Sequence, residues 1–357
     1  MITIELLEST LAENYEHFLL QCQESVFFHS LKWCEIIHDL LNAKKCYFIA
    51  QEGSEIVGAL PSFFKENSQY GSIINSLPFY GSHGAILAKS TAEEDRIRKK
   101  LLGAFDSFAR EKRCLLANII SSPFEKNPLF YLREWQPDYT DERIAQITEL
   151  PLCSSFPNNE LNNELDKLID SVRKRNVRKA LKSGISLKSS SEPPDIAPLY
   201  QIHKENLAAL KGIVKPRVFF QRVIDIMDAE KDYQIYYAER EGEIIAGLLV
   251  FYYKNIVEYA TPVTKLKYRN LQPLSFLIYE AMLEAIKQGC RYFNFGGTWK
   301  NQESLYQFKK RWGAKDYPYF YYIKAYGDIS HLKKLSKETI LREYPWFYVL
   351  PFSELED

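Results

Sequence analysis

A β-hairpin written twice constrains this chain more than any other feature. Tyr47-Phe-Ile-Ala-Gln-Glu-Gly-Ser-Glu-Ile-Val-Gly-Ala-Leu60 and Tyr236-Tyr-Ala-Glu-Arg-Glu-Gly-Glu-Ile-Ile-Ala-Gly-Leu-Leu249 share one order: an aromatic strand, a polar turn with a glycine, then a second apolar strand. Turn and strand glycines are five residues apart in both copies, as Gly53/Gly58 and Gly242/Gly247. A turn glycine supplies positive φ, and a glycine inside a strand marks a bulge or the close approach of another backbone. The flanks repeat too. Helical stretches anchored by aromatics precede each hairpin, with Phe27, Phe28 and Trp33 before the first and Phe219 and Phe220 before the second. A third strand, a helix, a cysteine and another strand follow each, through Phe105 to Cys114 and Leu115 to Ile120, and through Ala281 to Cys290 and Tyr292 to Phe295. In the second copy Leu277, Ala281, Leu283, Ala285 and Ile286 give that helix its apolar face. One glycine-turned hairpin is common, but matched flanks in the same order point to a duplication.

A chain of 357 residues fits two domains at about 100–200 residues each. Prolines and asparagines interrupt the pattern between Leu150 and Pro157. The expected division is therefore a first domain over 1–150, a second over 151–326, and a tail over 327–357. The tail reads as a short helix, Ser330 to Arg342, and an aromatic strand, Tyr344 to Leu350, that returns to the first domain. Helices alternating with antiparallel strands give an α/β class with mixed sheets flanked by helices.

Composition excludes several functions. Lys+Arg and Asp+Glu both number 46, so no global charge draws the chain to DNA. The six cysteines contain no CxxC pair, and the six histidines form no HExxH, so reduced core thiols and no metal are expected. The N-terminus lacks a basic flank and apolar run, and no stretch approaches the ~20 apolar residues of a membrane span. A cytoplasmic protein without a transmembrane segment is the expectation. There is no GxGxxG opening a helix, no GxxxxGK[ST] and no GxSxG. The turn Gly81-Ser-His-Gly84 is too short for a phosphate cradle and reads as a loop.

Four ordered motifs of the second half resemble the Fem-like tandem GNAT-fold acyltransferases. They are the basic helix Ser171 to Gly184, the hairpin end Ile245-Ala-Gly-Leu-Leu, Gln272-Pro-Leu with Tyr292-Phe-Asn-Phe-Gly-Gly297, and Leu305-Tyr-Gln-Phe-Lys-Lys-Arg-Trp-Gly-Ala314. Phe28-His-Ser-Leu-Lys-Trp33 and Pro78-Phe-Tyr-Gly81 of the first half are similar to the family as well. The resemblance implies two tandem GNAT-like (acyl-CoA N-acyltransferase fold) domains. It implies transfer of an acyl or aminoacyl group, from acyl-CoA or aminoacyl-tRNA, to an amine. The implied acceptor is a cell-envelope precursor such as a peptidoglycan muropeptide, or an amino sugar, held in a cleft shared with the first unit. Charged tRNA is a possible partner on that basis. Two departures stand out. Ordinary GNAT enzymes cradle the CoA pyrophosphate with an RxxGxG/A turn, and the matching place here, Lys267 to Leu274, has no glycine. No stretch fits the long helical arm of some tRNA-using members. The alternative is a non-catalytic degenerate tandem acting as a ligand-binding or scaffold protein.

At about 100° per residue, Leu305, Phe308 and Trp312 form one helical stripe, Lys310 points nearly opposite, and Lys309 and Arg311 flank the stripe. Position favours Lys309 or Arg311 as a site residue. The resemblance selects Lys309, which could stabilise the oxyanion formed when an amine attacks a carbonyl. On the basic helix, Ser171 is the expected N-cap. Ile169, Val177, Ala180 and Leu181 make its apolar side, and Arg173 shares that side, either covering the core or reaching a cleft. Its other basic residues form a solvated face or a phosphate-binding patch. From the resemblance, Arg217, beside Lys215, would contact acceptor phosphates. Tyr259 stands either as a substrate hydrogen-bond donor or as a core-edge tyrosine. Tyr80 either lines the acceptor cleft or is a loop aromatic, and Trp33 reads as core. The general base stays open among Glu258, Asp316, water and the substrate itself.

Overall fold

The computed structural model describes every residue except 80, 153–156, 158–159, 190–194, 211, 230, 300–301 and 357, and the side chain of residue 189. Tyr80 and Cys153 thus lie outside the described residues. The chain divides into two compact units, residues 1–143 with 318–357 and residues 144–317.

The first unit opens with β1 (Ile2–Leu6), α1 (Ala12–Gln21), α2 (Leu31–Leu41) and β2 (Lys44–Lys45). The first hairpin is β3 (Phe48–Glu52) and β4 (Glu55–Leu60), followed by β5 (Phe63–Lys65), β6 (Ile73–Asn75) and β7 (Leu87–Ala88). Then come α3 (Glu94–Glu111), β8 (Leu116–Ile120), α4 (Phe130–Glu134) and β9 (Tyr139–Glu149), which runs on into the second unit. The second unit continues with α5 (Leu161–Leu168), α6 (Ser171–Lys182), β10 (Ser186–Ser189), α7 (Ala197–Ala209) and α8 (Arg217–Ile226). The second hairpin is β11 (Tyr233–Arg240) and β12 (Glu243–Tyr253), followed by β13 (Ile256–Thr264), α9 (Pro273–Lys287), β14 (Tyr292–Thr298) and α10 (Glu303–Lys310). From Pro318 onward β15 (Lys315–Ala325) lies in the first unit, with α11 (Ser330–Lys333) and α12 (Lys337–Glu343). The tail helix is therefore two short helices. No strand forms over 344–350, because its carbonyls are taken singly: Asn75 Nδ2 donates to Tyr348 O at 2.8 Å, and Phe79 N donates to Trp346 O at 2.8 Å.

In the first unit β1-β3-β4-β7 form one sheet, and β8, β6, β5 and β2 pair in that order alongside β15. Helix α3 packs its apolar face, Ile97, Leu101, Leu102 and Phe105, into the core beneath β3 and β4. In the second unit the sheet order is β10-β11-β12-β13-β14-β9. Phe276, Ile278, Met282 and Ala285 of α9 join Val177 and Ala180 of α6 in its core. At the start of α6 the cap is Asp170, whose carboxylate accepts from Val172 N at 2.6 Å, and Ser171 is the first helical residue. Leu181, expected on the apolar side, is 52% exposed.

Both hairpins close with two-residue loops, Glu52 pairing with Glu55 and Arg240 with Glu243. Gly53 takes the first loop position (φ +64°) and Gly242 the second (φ +77°), behind Glu241 at φ +52°. Each hairpin has a bulge at the same step, Ala50/Gln51 and Ala238/Glu239. The one-residue offset sends the two strand glycines to different partners, since a slip of one flips the face. A Cβ on Gly58 would lie 2.5 Å from Ile97 of α3, and one on Gly247 would lie 2.9 Å from Leu199 of α7. Both glycines therefore mark close approach of a helix.

Gly313 ends the α10 turn at φ +77°, where a Cβ would stand 2.9 Å from the carbonyl oxygen and Cγ of Leu168. Gly313→Ala combines a strained φ with overpacking, and a loss of about 2–4 kcal/mol is expected. Urea unfolding of wild type and variant would measure it.

Candidate functional site

The site grows from a break in the second sheet. β13 and β14 pair in parallel only at Ile256/Tyr292, Val257/Phe293 and Glu258/Asn294. Beyond that point β13 stays with β12 through Thr264, and β14 stays with β9 through Thr298. The two strands thus part company and leave a wedge between residues 259–264 and 295–298. Each strand is irregular just past the apex: β13 carries Ala260 as an extra residue between Leu249/Thr261 and Val250/Tyr259, and β14 shifts register between Asn294 and Gly297. Such bulges leave carbonyls without ladder partners.

Two lysines take those carbonyls. Lys309 of α10 is 4% exposed, and its ammonium donates to Gly296 O at 3.0 Å, Gly297 O at 2.9 Å and Thr298 Oγ1 at 2.9 Å. Burial pushes its pKa down to about 7. Lys215, in the loop before α8, reaches Ala260 O at 3.4 Å and Thr261 Oγ1 at 3.3 Å. Burial pushes its pKa down to about 8; the residue as a whole keeps some exposure, and the ammonium is its enclosed end. Its backbone N–H donates to His203 Nε2 at 3.1 Å.

Glu258 sits at the apex, 4% exposed. One carboxylate oxygen accepts from Asn294 Nδ2 at 2.8 Å, and the other, Oε1, is buried without a partner. Burial pushes the carboxyl up to about 8 against the opposing pull of that hydrogen bond. Asn294 is itself fixed, its Oδ1 accepting from Gly296 N at 2.9 Å. Behind the rim, the Thr298 hydroxyl donates to Gln146 Oε1 at 2.9 Å, and Gln146 Nε2 donates to Tyr306 O at 3.1 Å.

The sheet's other side chains supply rings. Tyr259 lies 5.3 Å from Phe295 and 6.4 Å from Phe293 by ring centroids. Burial raises its phenol, and the charge of Arg173 opposes that. Arg173 is buried. Its guanidinium stands 4.3 Å over the Phe308 ring and 5.6 Å from Trp312, and it donates to Phe308 O at 3.2 Å. Burial, then the charge of Arg311, pushes its pKa down to about 10. Arg173 thus ties α6 to α10, the helix that carries Lys309.

The helical stripe on α10 places Trp312 fully inside and Phe308 against the core, while Leu305 is 37% exposed. Of the two flanking cations, Lys309 turns inward and Arg311 outward, lining a surface cleft of about 360 Å³ with Asp170, Gln307 and Lys310. Arg217 is exposed at the first turn of α8. Asp316 is a surface group that accepts from the Tyr306 hydroxyl at 2.6 Å. Trp33 is core in the first unit, between the rings of Phe27, Phe28 and Phe79, with its indole N–H on Ser82 Oγ at 3.2 Å. The structure therefore brings together Lys309, Glu258, Tyr259 and Arg173 around β13, β14 and α10. Arg311 and Arg217 stay on the surface. Asn294, Thr298 and Gln146 went unread; Asn294 carries a signal, as a polar residue between two phenylalanines of a core strand.

Where a pyrophosphate-binding turn would stand, the chain forms a 3-10 stretch over Leu266–Leu271 and enters α9 through Gln272 at φ 64°. Lys265, Lys267 and Tyr268 all converge on Glu243, at 2.9, 3.2 and 2.5 Å. Among the described residues no cluster of His, Cys, Asp or Glu is placed to hold a metal ion, and Cys22, Cys34, Cys46, Cys114 and Cys290 are buried.

Residues 171–317 match the family described as an acetyltransferase (GNAT) domain. Solved structures extend the likeness over the chain. The crystal structure of FemX is 14% identical and covers 92% of this chain and 98% of its own, with a TM-score of 0.69. L-PGS from Bacillus licheniformis is 14% identical over 97% and 99%, with a TM-score of 0.56. A tandem GNAT protein from the clavulanic acid biosynthesis pathway is 10% identical over 92% and 99%, with a TM-score of 0.54. No protein of curated function matches in sequence. The fold is thus a tandem of GNAT units. Residues 171–317 are therefore similar to a GNAT acetyltransferase domain, and the chain shares its tandem fold with FemX.

Proposed function

We propose that the chain transfers an aminoacyl or acyl group from aminoacyl-tRNA or acyl-CoA to an amine of a cell-envelope precursor, such as a muropeptide or amino sugar. The observation that carries this reading is the wedge between β13 and β14, with a buried carboxyl at its apex and a buried lysine on its rim. The opening admits a donor carbonyl. Glu258 accepts the proton that the attacking amine must lose, and its raised pKa matches it to an amine at near-neutral pH. Lys309 spends all three N–H donors on neutral oxygens at rest. When an oxyanion forms, exchanging one neutral acceptor for a charged one strengthens the bond, so the lysine stabilises the transition state more than the ground state. The Fem-like motifs of the sequence, Gln272-Pro-Leu and Leu305 to Ala314 among them, imply an aminoacyl donor as one of the two alternatives. The absence of glycine before α9, and the lysines held by Glu243, also favour a donor without a cradled pyrophosphate.

A thermal-shift series tests the reading. A ligand that binds only the native state, at a hundred times its Kd, stabilises by about 2.7 kcal/mol, a rise of several degrees for a unit of this size. Aminoacyl-tRNA, or its charged 3′ end, is expected to raise the melting midpoint, as is a UDP-linked muropeptide or amino sugar. A rise with acyl-CoA alone would reassign the donor. No rise with any of them would overturn the proposal.

A further inference from the structure

Lys215 belongs to a segment whose other side chains the proposed chemistry leaves unused. Between the end of α7 and the first turn of α8, Leu210 is 77% exposed, Ile213 42% and Val218, within that turn, 47%. The flanking helices already bury an apolar face of their own, Leu199 and Ile202 on α7 and Phe219, Phe220 and Val223 on α8. The three exposed side chains are thus surplus to the fold, and they crowd one short surface segment. Its charge is equally one-sided. Positions 204–226 hold Lys204, Lys211, Lys215, Arg217 and Arg222 against Glu205 and Asp225, in a chain whose opposite charges balance. Glu205 accepts from Gln201 at 2.7 Å. Lys204 and Arg217 are exposed. The segment is tied down through Gly212 N, which donates to Leu207 O at 2.9 Å, and through Lys215, which bonds His203 and β13.

Aliphatic side chains presented to solvent among cations fit one surface well. They enter the headgroup region of a bilayer while lysine and arginine meet lipid phosphates. A nucleic acid would use the cations and gain nothing from Leu210 or Ile213. We propose that Leu210, Ile213 and Val218 dock the protein on an anionic phospholipid surface, inserted into it with Lys204 and Arg217 at the phosphates. Docking is independent of the transfer reaction and is measured without turnover.

The full chain would be sedimented with phosphatidylglycerol vesicles and with phosphatidylcholine vesicles at low ionic strength. Binding to the anionic vesicles and little to the neutral ones is expected. The double variant Leu210→Asp/Ile213→Asp should weaken that binding about tenfold or more, with an unchanged melting midpoint. Leu129→Asp/Leu132→Asp, which alters exposed leucines of the first unit, should bind like wild type. No sedimentation with phosphatidylglycerol would overturn the proposal. So would undiminished binding by the Leu210/Ile213 variant, which would mean charge adsorption without insertion. Capture by tRNA alone, with no vesicle binding, would reassign the surface to nucleic acid.

Discussion

Lys309→Met is expected to lower transfer by about 10²–10³, the range seen when one oxyanion donor is removed. Methionine keeps the length and apolar stem of this buried side chain, so the local packing survives. The loss falls on the ammonium, which is the partner of Gly296 O, Gly297 O and Thr298 Oγ1. Leaving those acceptors unmet costs about 1–3 kcal/mol, partly offset because a buried charge no longer has to be desolvated. Stability should therefore fall modestly while activity falls steeply. Lys309→Arg should not restore transfer, because a planar guanidinium cannot fill a buried site shaped for three converging bonds. Lys310→Met serves as the neighbouring comparison: its side chain is an exposed partner of Asp316, and little change is expected.

Glu258→Gln carries the second large effect, a loss of about 10²–10⁴ if the carboxylate is the base. The pH profile separates this from a structural role. Transfer needs Glu258 ionised, which occurs above about 8, and Lys309 charged, which holds below about 7. The form with both groups charged is then a minority species whose fraction peaks between those values, so the rate should be bell-shaped with its maximum there. Glu258→Gln should remove the rising limb and leave the falling one. Stability gives an independent reading. The folded pKa of Glu258 lies above the unfolded value of about 4.3. Its contribution is then full below pH 4.3 and is lost as pH rises through about 8. The glutamine variant lacks that loss, so near pH 9 it should be the more stable protein by up to a few kcal/mol. Thermal unfolding of both across pH 5–9 checks the sign.

Helical spacing made much of this legible in the sequence. The stripe Leu305, Phe308, Trp312 implied that Lys309 and Arg311 flank the core, and Arg173, four residues before Val177, had to face inward. Which flank turned in was not legible: Lys309 finds three acceptors on β14, and Arg311 lies exposed at a surface cleft. The hairpins were readable as a repeat, but their turn glycines proved to be one step apart in register, which only strand pairing reveals. The apex was hidden for the same reason. Nothing local in 256–264 or 292–298 says where two parallel strands stop pairing, so Glu258 looked no different from Asp316. The aromatic run 344–350 has strand composition and no strand, because Asn75 and Asn118 side chains take the Tyr348 carbonyl a ladder would have used.

The most direct test is the mass of the acceptor. Wild type and Lys309→Met would be incubated side by side with charged tRNAs or acyl-CoAs, and with UDP-linked muropeptides or amino sugars. Wild type is expected to add one aminoacyl or acyl mass to an acceptor amine, and the variant to yield that product at least about a hundred times more slowly. A product formed equally by both proteins, or no product from wild type with folded protein and every pairing of donor and acceptor, would contradict the role assigned to the wedge and its lysine.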